Sequence, residues 1–536
     1  MSKRDWRHHR ARQRSRGRGR DRSEPKNARD AIEALLGERL GRRGFAASLE
    51  VEAGRAADAA ESSELRRRDL TELPTFTVDP ATARDFDDAV SARRESDGLR
   101  LWIHIADVAA HVPPGSPLDL EARRRANSTY VPGAVEPMLP RALSEEACSL
   151  APGVERLAVT AEIELGPGGS PRAASFYRSR IRSRARLDYD QLDLVFAGRS
   201  EAPEGVAEPL ALAREAAAAL GDRRGATSLG VESSEPEFRF DAAGNVVGAR
   251  SVAQTESHRL IERLMILANE EVAQLLERKR VPAVYRVHAP PDPSRVERLV
   301  EQLHALDLPS PPLGQGLAPG QAARVAAEAS RLVVKEAARR GHGREAYTSL
   351  VLRSQMQASY SDRNNGHAGL GSPAYCHFTS PIRRYPDLLV HRALLAALGE
   401  GEGAPRAADA REVAWRCSEQ ERESARIERD ADDVCAAYLL ERELAQRGTE
   451  AVFEGEVSGL IRAGAFVGFG GELGDVYEGF VPARTIGDER FELNETETAL
   501  VGRESASAVR LGDPISVRVS GVEAPRGRVD LELANG

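Results

Sequence analysis

Cysteine is scarce in this chain, with only Cys148, Cys376, Cys417 and Cys435 in 536 residues. None stands in a CxxC pair, which argues against a disulfide framework or a zinc site and makes the reducing cytosol the default compartment. No run of about 18 apolar residues exists, so no transmembrane helix is expected. The basic N-terminus is followed by no apolar core segment, so no secretory signal is expected either. Internal repeats at solenoid periods are also missing. What remains, 41% hydrophobic and 29% charged residues, fits a soluble globular protein of two to four domains with material for a large core.

The net charge of −8 does not by itself point to nucleic acid, but its distribution does. Lys3, Arg4, Arg7, Arg10, Arg12, Arg14, Arg16, Arg18, Arg20 and Arg22 face only Asp5 and Asp21 in the first 22 residues. This run has no apolar period, reads as a disordered tail (1–26), and can neutralise phosphates or simply solubilise the chain.

Helical spacing recurs over 28–43 (Ile32, Leu35, Leu36, Leu40), and an Ala- and Glu-rich stretch continues it to about Arg68. Strands are expected at Thr75–Val78, Leu101–Ile105, Arg156–Leu165 and, more weakly, Ser175–Leu187. Pro113, Pro114 and Pro117 mark a loop. Helices are expected at Glu256–Arg278, 321–341, 346–359 and 406–446, with a flexible connector at 310–320. From Ala451 to Leu533 short alternating strands between glycines indicate a small β-barrel.

Chemistry concentrates in two motifs. TVDPATARDFDDA (77–89) puts Asp79, Asp85, Asp87 and Asp88 within ten residues, just after an expected strand. Such a loop repels itself, a cost that a divalent cation removes. Oxygen ligands without nitrogen or sulfur suit Mg²⁺ or Mn²⁺ and phosphoryl chemistry. A calcium loop fits poorly, because the glycine and glutamate of an EF-hand are missing. A solvated acidic loop remains the plain alternative. The second motif is HFTSPIRRYPD (377–387). Thr379 or Ser380 can cap a helix with Pro381 in its first turn, which would aim Arg383 and Arg384 at phosphate. Arg384 can equally pair with Asp387 at i, i+3.

Together with STYVPGAVEPMLPRALSEEACSL, ESHRLIERLMILANEEVAQLL, YRVHAPP, GHAGLGSPAYCHFTSPIRRYPDLLVHR and ESARIERDADD, these motifs resemble the ribonuclease II / ribonuclease R (RNB) superfamily over about 66–440. The ribonuclease R-like branch is the most similar. The resemblance implies a mixed α/β catalytic domain (66–446) with an RNA channel, preceded by a short helical region (27–65). It also implies a Mg²⁺-dependent 3′→5′ exoribonuclease releasing nucleoside 5′-monophosphates from single-stranded RNA. Asp79 and Asp88 would bind the metal directly, and Asp85 and Asp87 would complete the second-metal and water-activating side. Asp87 would be the least replaceable. Arg383 would hold the scissile phosphate, with Arg384 beside it. Tyr130 would stack on the 3′-terminal base, although by its neighbours alone it reads as an ordinary loop tyrosine. Glu428 falls near the exit side. His258, Glu262 and Asn269 lie on one helix, with Asn269 readable as a buried amide satisfied by backbone. His288, His367, His377 and His391 read as structural or channel-lining.

Three departures stand out. Pro291 replaces a stacking phenylalanine of ribonuclease II proper, Ala368 replaces the ring of the GHFGL motif, and the 65 residues before the RNB-like segment are too few for two cold-shock barrels. The C-terminal segment (447–536) resembles an S1-type OB-fold, with Phe466, Phe469 and Tyr477 as candidate stacking rings. Phe466 and Phe469 would face opposite sides of one strand. A cytoplasmic monomer that binds single-stranded RNA and no membrane, with RNA-decay machinery as a candidate partner, completes the expectation. Its rivals are a non-catalytic RNA-binding scaffold and a different metal phosphodiesterase.

Overall fold

The computed structural model describes residues 25–41, 43–61, 66–224, 235–314, 316–401 and 404–534. The basic run at 3–22, and the RNA contact expected of it, lie outside these residues.

The first domain is built on strands β1 (Arg68–Asp69), β2 (Phe76–Val78), β3 (Asp88–Glu95), β4 (Gly98–Ala106), β5 (Thr129–Val131), β6 (Ala134–Glu136), β7 (Glu155–Leu165), β8 (Pro171–Arg182) and β9 (Ala185–Leu187). Seven of them form one sheet in the order β1-β8-β7-β4-β3-β2-β9, antiparallel except for the β1–β8 and β2–β9 pairs. β5 and β6 form a separate hairpin. Alternation sets the two faces. Val90, Leu101, Ile103, Ile105, Val159 and Ala161 meet Leu264, Leu267 and Val272 of the helix Glu256–Lys279. Ala89, Ala106 and Ala158 turn to the opposite side, beside Leu139, Leu143 and Leu388. Each fully buried Leu or Ile contributes roughly 1.5–3 kcal/mol, so two covered faces make the sheet a stiff base. Between β3 and β4, Gly98 has φ 139°, and a Cβ there would collide with the Leu165 carbonyl oxygen, so only glycine fits. A buried polar relay crosses the sheet from Thr75 to Ser91 (2.7 Å), His104 (3.2 Å), Thr160 (2.9 Å) and Ser179 (2.6 Å). Burial pushes His104 down to about 3, so it serves there as a neutral ring.

Several expectations shift. Pro117 is not loop but the first residue of a helix, Pro117–Arg125, capped by Ser116. The helix expected at 346–359 stops at Ser354, and Ser359–Ser361 is a strand paired with Tyr285–Val287. The helix expected to start with Pro381 begins at Tyr385, with Pro386 in its first turn. Residues 175–187 divide into β8 and β9.

A helix of 41 residues, Ala407–Arg447, runs about 60 Å and joins the two domains. The C-terminal strands Val452–Ile461, Gly464–Gly471, Gly474–Pro482, Arg528–Leu533 and Pro514–Glu523 close into a five-stranded barrel, as an OB-type domain requires. Glu443 anchors this barrel to the long helix. Its buried carboxylate accepts hydrogen bonds from Glu472 N (3.0 Å) and the Tyr477 hydroxyl (2.9 Å) and pairs with Arg447 (2.9 Å). Tyr477 is therefore a core residue, 3% exposed, and not the RNA-facing ring expected of it. All four cysteines are buried and unpaired. Among the described residues no helix is long and apolar enough to cross a membrane.

Candidate active site

The acidic loop lies between β2 and β3 and is pinned mainly through its backbone. Asp79 N donates to Leu187 O (3.2 Å), Phe86 N to Ser149 Oγ (3.0 Å), Leu150 N to Phe86 O (2.9 Å) and Ala106 N to Asp87 O (2.9 Å). Phe86 is buried in the apolar cluster beneath the loop. Asp88 opens β3 opposite Ile105. The apolar plug and the strand ladder thus hold four carboxylates where self-repulsion alone would spread them.

The arginine motif forms a tight turn. Arg384 N donates to Ser380 O (2.9 Å), while the buried carboxylate of Asp387 accepts from Ser380 N (2.7 Å) and Arg384 Nη2 (2.7 Å). Arg384 was expected to bind substrate, but its guanidinium is committed to Asp387 and shapes the turn. Arg383 next to it donates through Nη2 to Ser380 Oγ (3.2 Å), and its side chain is 48% exposed.

Three segments far apart in sequence interlock here. Ile382 N donates to Asp87 Oδ1 (2.8 Å), and Arg383 Nε lies 3.5 Å from Asp87 Oδ2. Ser128 N donates to Arg383 O (2.9 Å) and Tyr385 N to Ala126 O (2.8 Å), which ties the turn to the strand carrying Tyr130. The Tyr130 hydroxyl then donates to Asp85 Oδ2 (2.7 Å), and Tyr130 N donates to Glu428 Oε1 on the long helix (2.9 Å). The acidic loop, the arginine turn and the Tyr130 strand are thus tied pairwise, loop to turn through Asp87, turn to strand through Arg383 O, and strand to loop through Asp85.

Burial first, then the neighbouring Asp88 and Asp85 charges, raises Asp79 to about 8; Arg383 and Arg186 oppose this. Asp88 rises to about 6 by burial, tempered by Arg383 and Arg384. Asp87, 3% exposed, is held well above the carboxylate range, chiefly by burial. Asp79 Oδ2 and Asp87 Oδ2 are buried without a hydrogen-bond partner. Orphaned carboxylate oxygens in an all-oxygen donor set fit a hard divalent cation. As placed, however, no three acidic, imidazole or thiolate groups among the described residues converge on one ion. Asp87 Oδ1 accepts from Ile382 N and Asp85 Oδ2 from Tyr130, so each of these carboxylates is oriented by a donor, while Asp79 Oδ2 and Asp87 Oδ2 have no hydrogen-bond partner among the described residues.

These shifts carry a stability consequence. The folded state keeps a proton on Asp79 up to about pH 8, whereas an unfolded chain releases it near 3.9. Cation-free protein therefore loses stability as pH rises from about 4 to 8 and levels off above. Asp79→Asn should flatten part of that decline and raise the melting temperature at pH 8 in chelator. Thermal unfolding of both proteins across this range checks it, and identical profiles would contradict it.

Other residues settle as follows. Asn269, 2% exposed, accepts from Phe378 N (2.8 Å), as its reading as a backbone-satisfied amide anticipated. His288 bonds Met356 O, His377 bonds the Tyr360 hydroxyl, and His391 bonds Phe378 O, all structural duties. His367 accepts from Leu370 N, His258 caps its helix through Thr255, and Glu262 is exposed. The sequence reading missed Tyr189. Its ring stacks on His258 (3.9 Å, 12°), and burial followed by the charges of Asp88 and Asp79 raises its phenol, which places it beside the cluster. On the barrel, Phe469 points inward and Phe466 outward, as their spacing required, and Phe480 pairs with Phe466 on the outer face (5.1 Å).

An acidic loop clamped to an arginine turn on a mixed sheet, joined by a long helix to an OB-type barrel, defines the class. The chain belongs to the RNB family: the RNB domain matches residues 67–400, and the S1 RNA binding domain matches 447–534. The chain is 35% identical over 495 residues to ribonuclease R of Vibrio parahaemolyticus, covering 89% of this chain and 57% of that protein. It is also 35% identical over 479 residues to ribonuclease R of Aquifex aeolicus, covering 87% and 65%. It thus spans less than two thirds of these relatives' length. Among solved structures, Mycoplasma genitalium RNase R in complex with ribose-methylated single-stranded RNA superposes with TM-score 0.85 at 27% identity, over 95% of this chain and 78% of that one.

Proposed function

We propose that this chain hydrolyses single-stranded RNA from its 3′ end, releasing nucleoside 5′-monophosphates, with Mg²⁺ or alternatively Mn²⁺ held by Asp79, Asp85, Asp87 and Asp88. The observation that carries this reading is the interlock of acidic loop, arginine turn and Tyr130 strand, which sets a half-exposed arginine and a tyrosine ring beside carboxylates with orphaned oxygens. When bound, the cation would polarise a phosphoryl oxygen and acidify an attacking water. The chain's own residues do the rest. Arg383 offers a planar guanidinium to the scissile phosphate and to the charge that develops on it. Tyr130 presents a ring to the terminal base, a contact that accepts any nucleotide. Asp87, fixed by Ile382 N, keeps its second oxygen turned toward the reaction centre. A ribose 2′-hydroxyl is the group by which such a site can prefer RNA over DNA.

The domain limits follow the same reading: a basic tail (1–26), a helical region (27–65), the catalytic domain (66–446) and an RNA-binding barrel (447–536). In this reading the protein acts in the cytoplasm as a monomer, with RNA-decay machinery as its candidate partner. On the barrel the Phe466–Phe480 pair replaces Tyr477 as the stacking platform. Since base–aromatic stacking contributes about 1–3 kcal/mol per base, Phe466→Ala with Phe480→Ala is expected to weaken single-stranded RNA binding by roughly tenfold or more. Fluorescence anisotropy measures this, and unchanged affinity would remove the barrel face from the RNA path.

A time course on 5′-labelled single-stranded RNA and DNA tests the whole reading. Stepwise shortening of RNA alone supports it. A ladder of internal cuts from the outset, or equal loss of DNA, would end it.

A further inference from the structure

The Tyr130 ring has a role in binding the terminal base under the reading above, but its hydroxyl is engaged elsewhere. It donates to Asp85 Oδ2 at 2.7 Å, while the backbone N of the same residue donates to Glu428 at 2.9 Å. The strand beneath is fixed as well: Thr129 Oγ1 and Asn127 Nδ2 both meet Ser424 Oγ, at 2.9 and 2.8 Å. Ser424 and Glu428 stand one turn apart on the long helix, so Tyr130 is held through its own backbone N and through the side chains of Thr129 and Asn127 before it. A phenol mounted this rigidly can orient the carboxylate it bonds.

Asp85 needs such a partner. It lies on the loop between Pro80 and the start of β3, and the only side-chain hydrogen bond shown to its carboxylate among the described residues is the one from Tyr130. Asp87, by comparison, is oriented by Ile382 N. Carboxylates that bind a cation are commonly fixed by an outer hydrogen-bond donor, and loss of that donor typically weakens metal affinity by about 10–100-fold.

We infer that Tyr130 is a positioning residue for the cation as well as a platform for the base: its hydroxyl sets the Asp85 carboxylate, so that the group meeting the RNA end also prepares the cation site. The inference rests on the proposed cation role of the aspartates. Because binding free energies are reciprocal, the same bond couples cation occupancy to seating of the RNA 3′ end.

Mn²⁺ binding to the full chain without RNA, followed by electron paramagnetic resonance of the free ion, tests this apart from turnover. Tyr130→Phe keeps the ring and removes only the hydroxyl. It is expected to weaken Mn²⁺ binding by about tenfold, whereas in an Asp85→Asn background the same change should produce little further loss. That non-additivity separates a specific bond from general damage to the site. Unchanged or tighter Mn²⁺ binding in Tyr130→Phe would overturn the inference, and so would equal losses in the two backgrounds. If Asp79→Asn and Asp88→Asn leave Mn²⁺ binding as in the unaltered protein, the cation reading itself has failed and takes this inference with it. If those variants lose binding and Tyr130→Phe does not, only the role of the hydroxyl falls.

Discussion

Asp87→Asn is expected to lower nucleotide release by about three orders of magnitude or more while leaving the fold intact. The asparagine carbonyl can still accept from Ile382 N, so the link between acidic loop and arginine turn survives. The lost feature is the negative charge on the oxygen that faces Arg383 and has no hydrogen-bond partner. An ionised carboxylate with 3% of its surface exposed is costly to bury. Its neutral isostere should therefore make the cation-free protein no less stable. A variant that melts normally and turns over negligibly is the signature of a residue kept for chemistry. Comparable losses of activity and melting temperature would assign Asp87 to the scaffold instead.

The second large effect belongs to Arg383. Its side chain is 48% exposed and makes a hydrogen bond to Ser380 Oγ beside its long ion pair with Asp87, while its main-chain oxygen, which accepts from Ser128 N, survives substitution. Arg383→Ala should fold, bind Mn²⁺ and lose about 10²–10³-fold in kcat. Arg383→Lys should recover little of this, because a point charge does not reproduce a planar two-toothed grip on phosphate. Single-turnover rates for the three proteins measure it. Full recovery in the lysine variant would reduce the role of Arg383 to simple charge.

The two motifs that the fold brings together were both legible in the residues. Four aspartates in ten positions after a strand marked the loop that meets the arginine turn, and the alternation in 156–165 marked a strand of the sheet. The arginine turn was harder to read. Pro381 and Pro386 each suit a helix's first turn, and only the fold shows that Asp387 draws Ser380 N and Arg384 into a loop before the helix begins at Tyr385. Tyr477 misled for a related reason. Alternation along Gly474–Pro482 does not say which parity faces inward until the strand is paired, and Glu443, some 30 residues earlier, decides it. Tyr189 gave no local signal at all, since its place beside the cluster depends on a sheet pairing, β2 with β9, that spans more than a hundred residues.

The most direct measurement is chromatographic identification of the first product released from a 3′-hydroxyl RNA in Mg²⁺, using the unaltered protein and Asp87→Asn side by side. Nucleoside 5′-monophosphate from the former, with almost none from the latter, is the expected result. Nucleotides bearing a 3′-phosphate, or equal release by both proteins, would contradict attack on the last phosphodiester at this cluster of carboxylates.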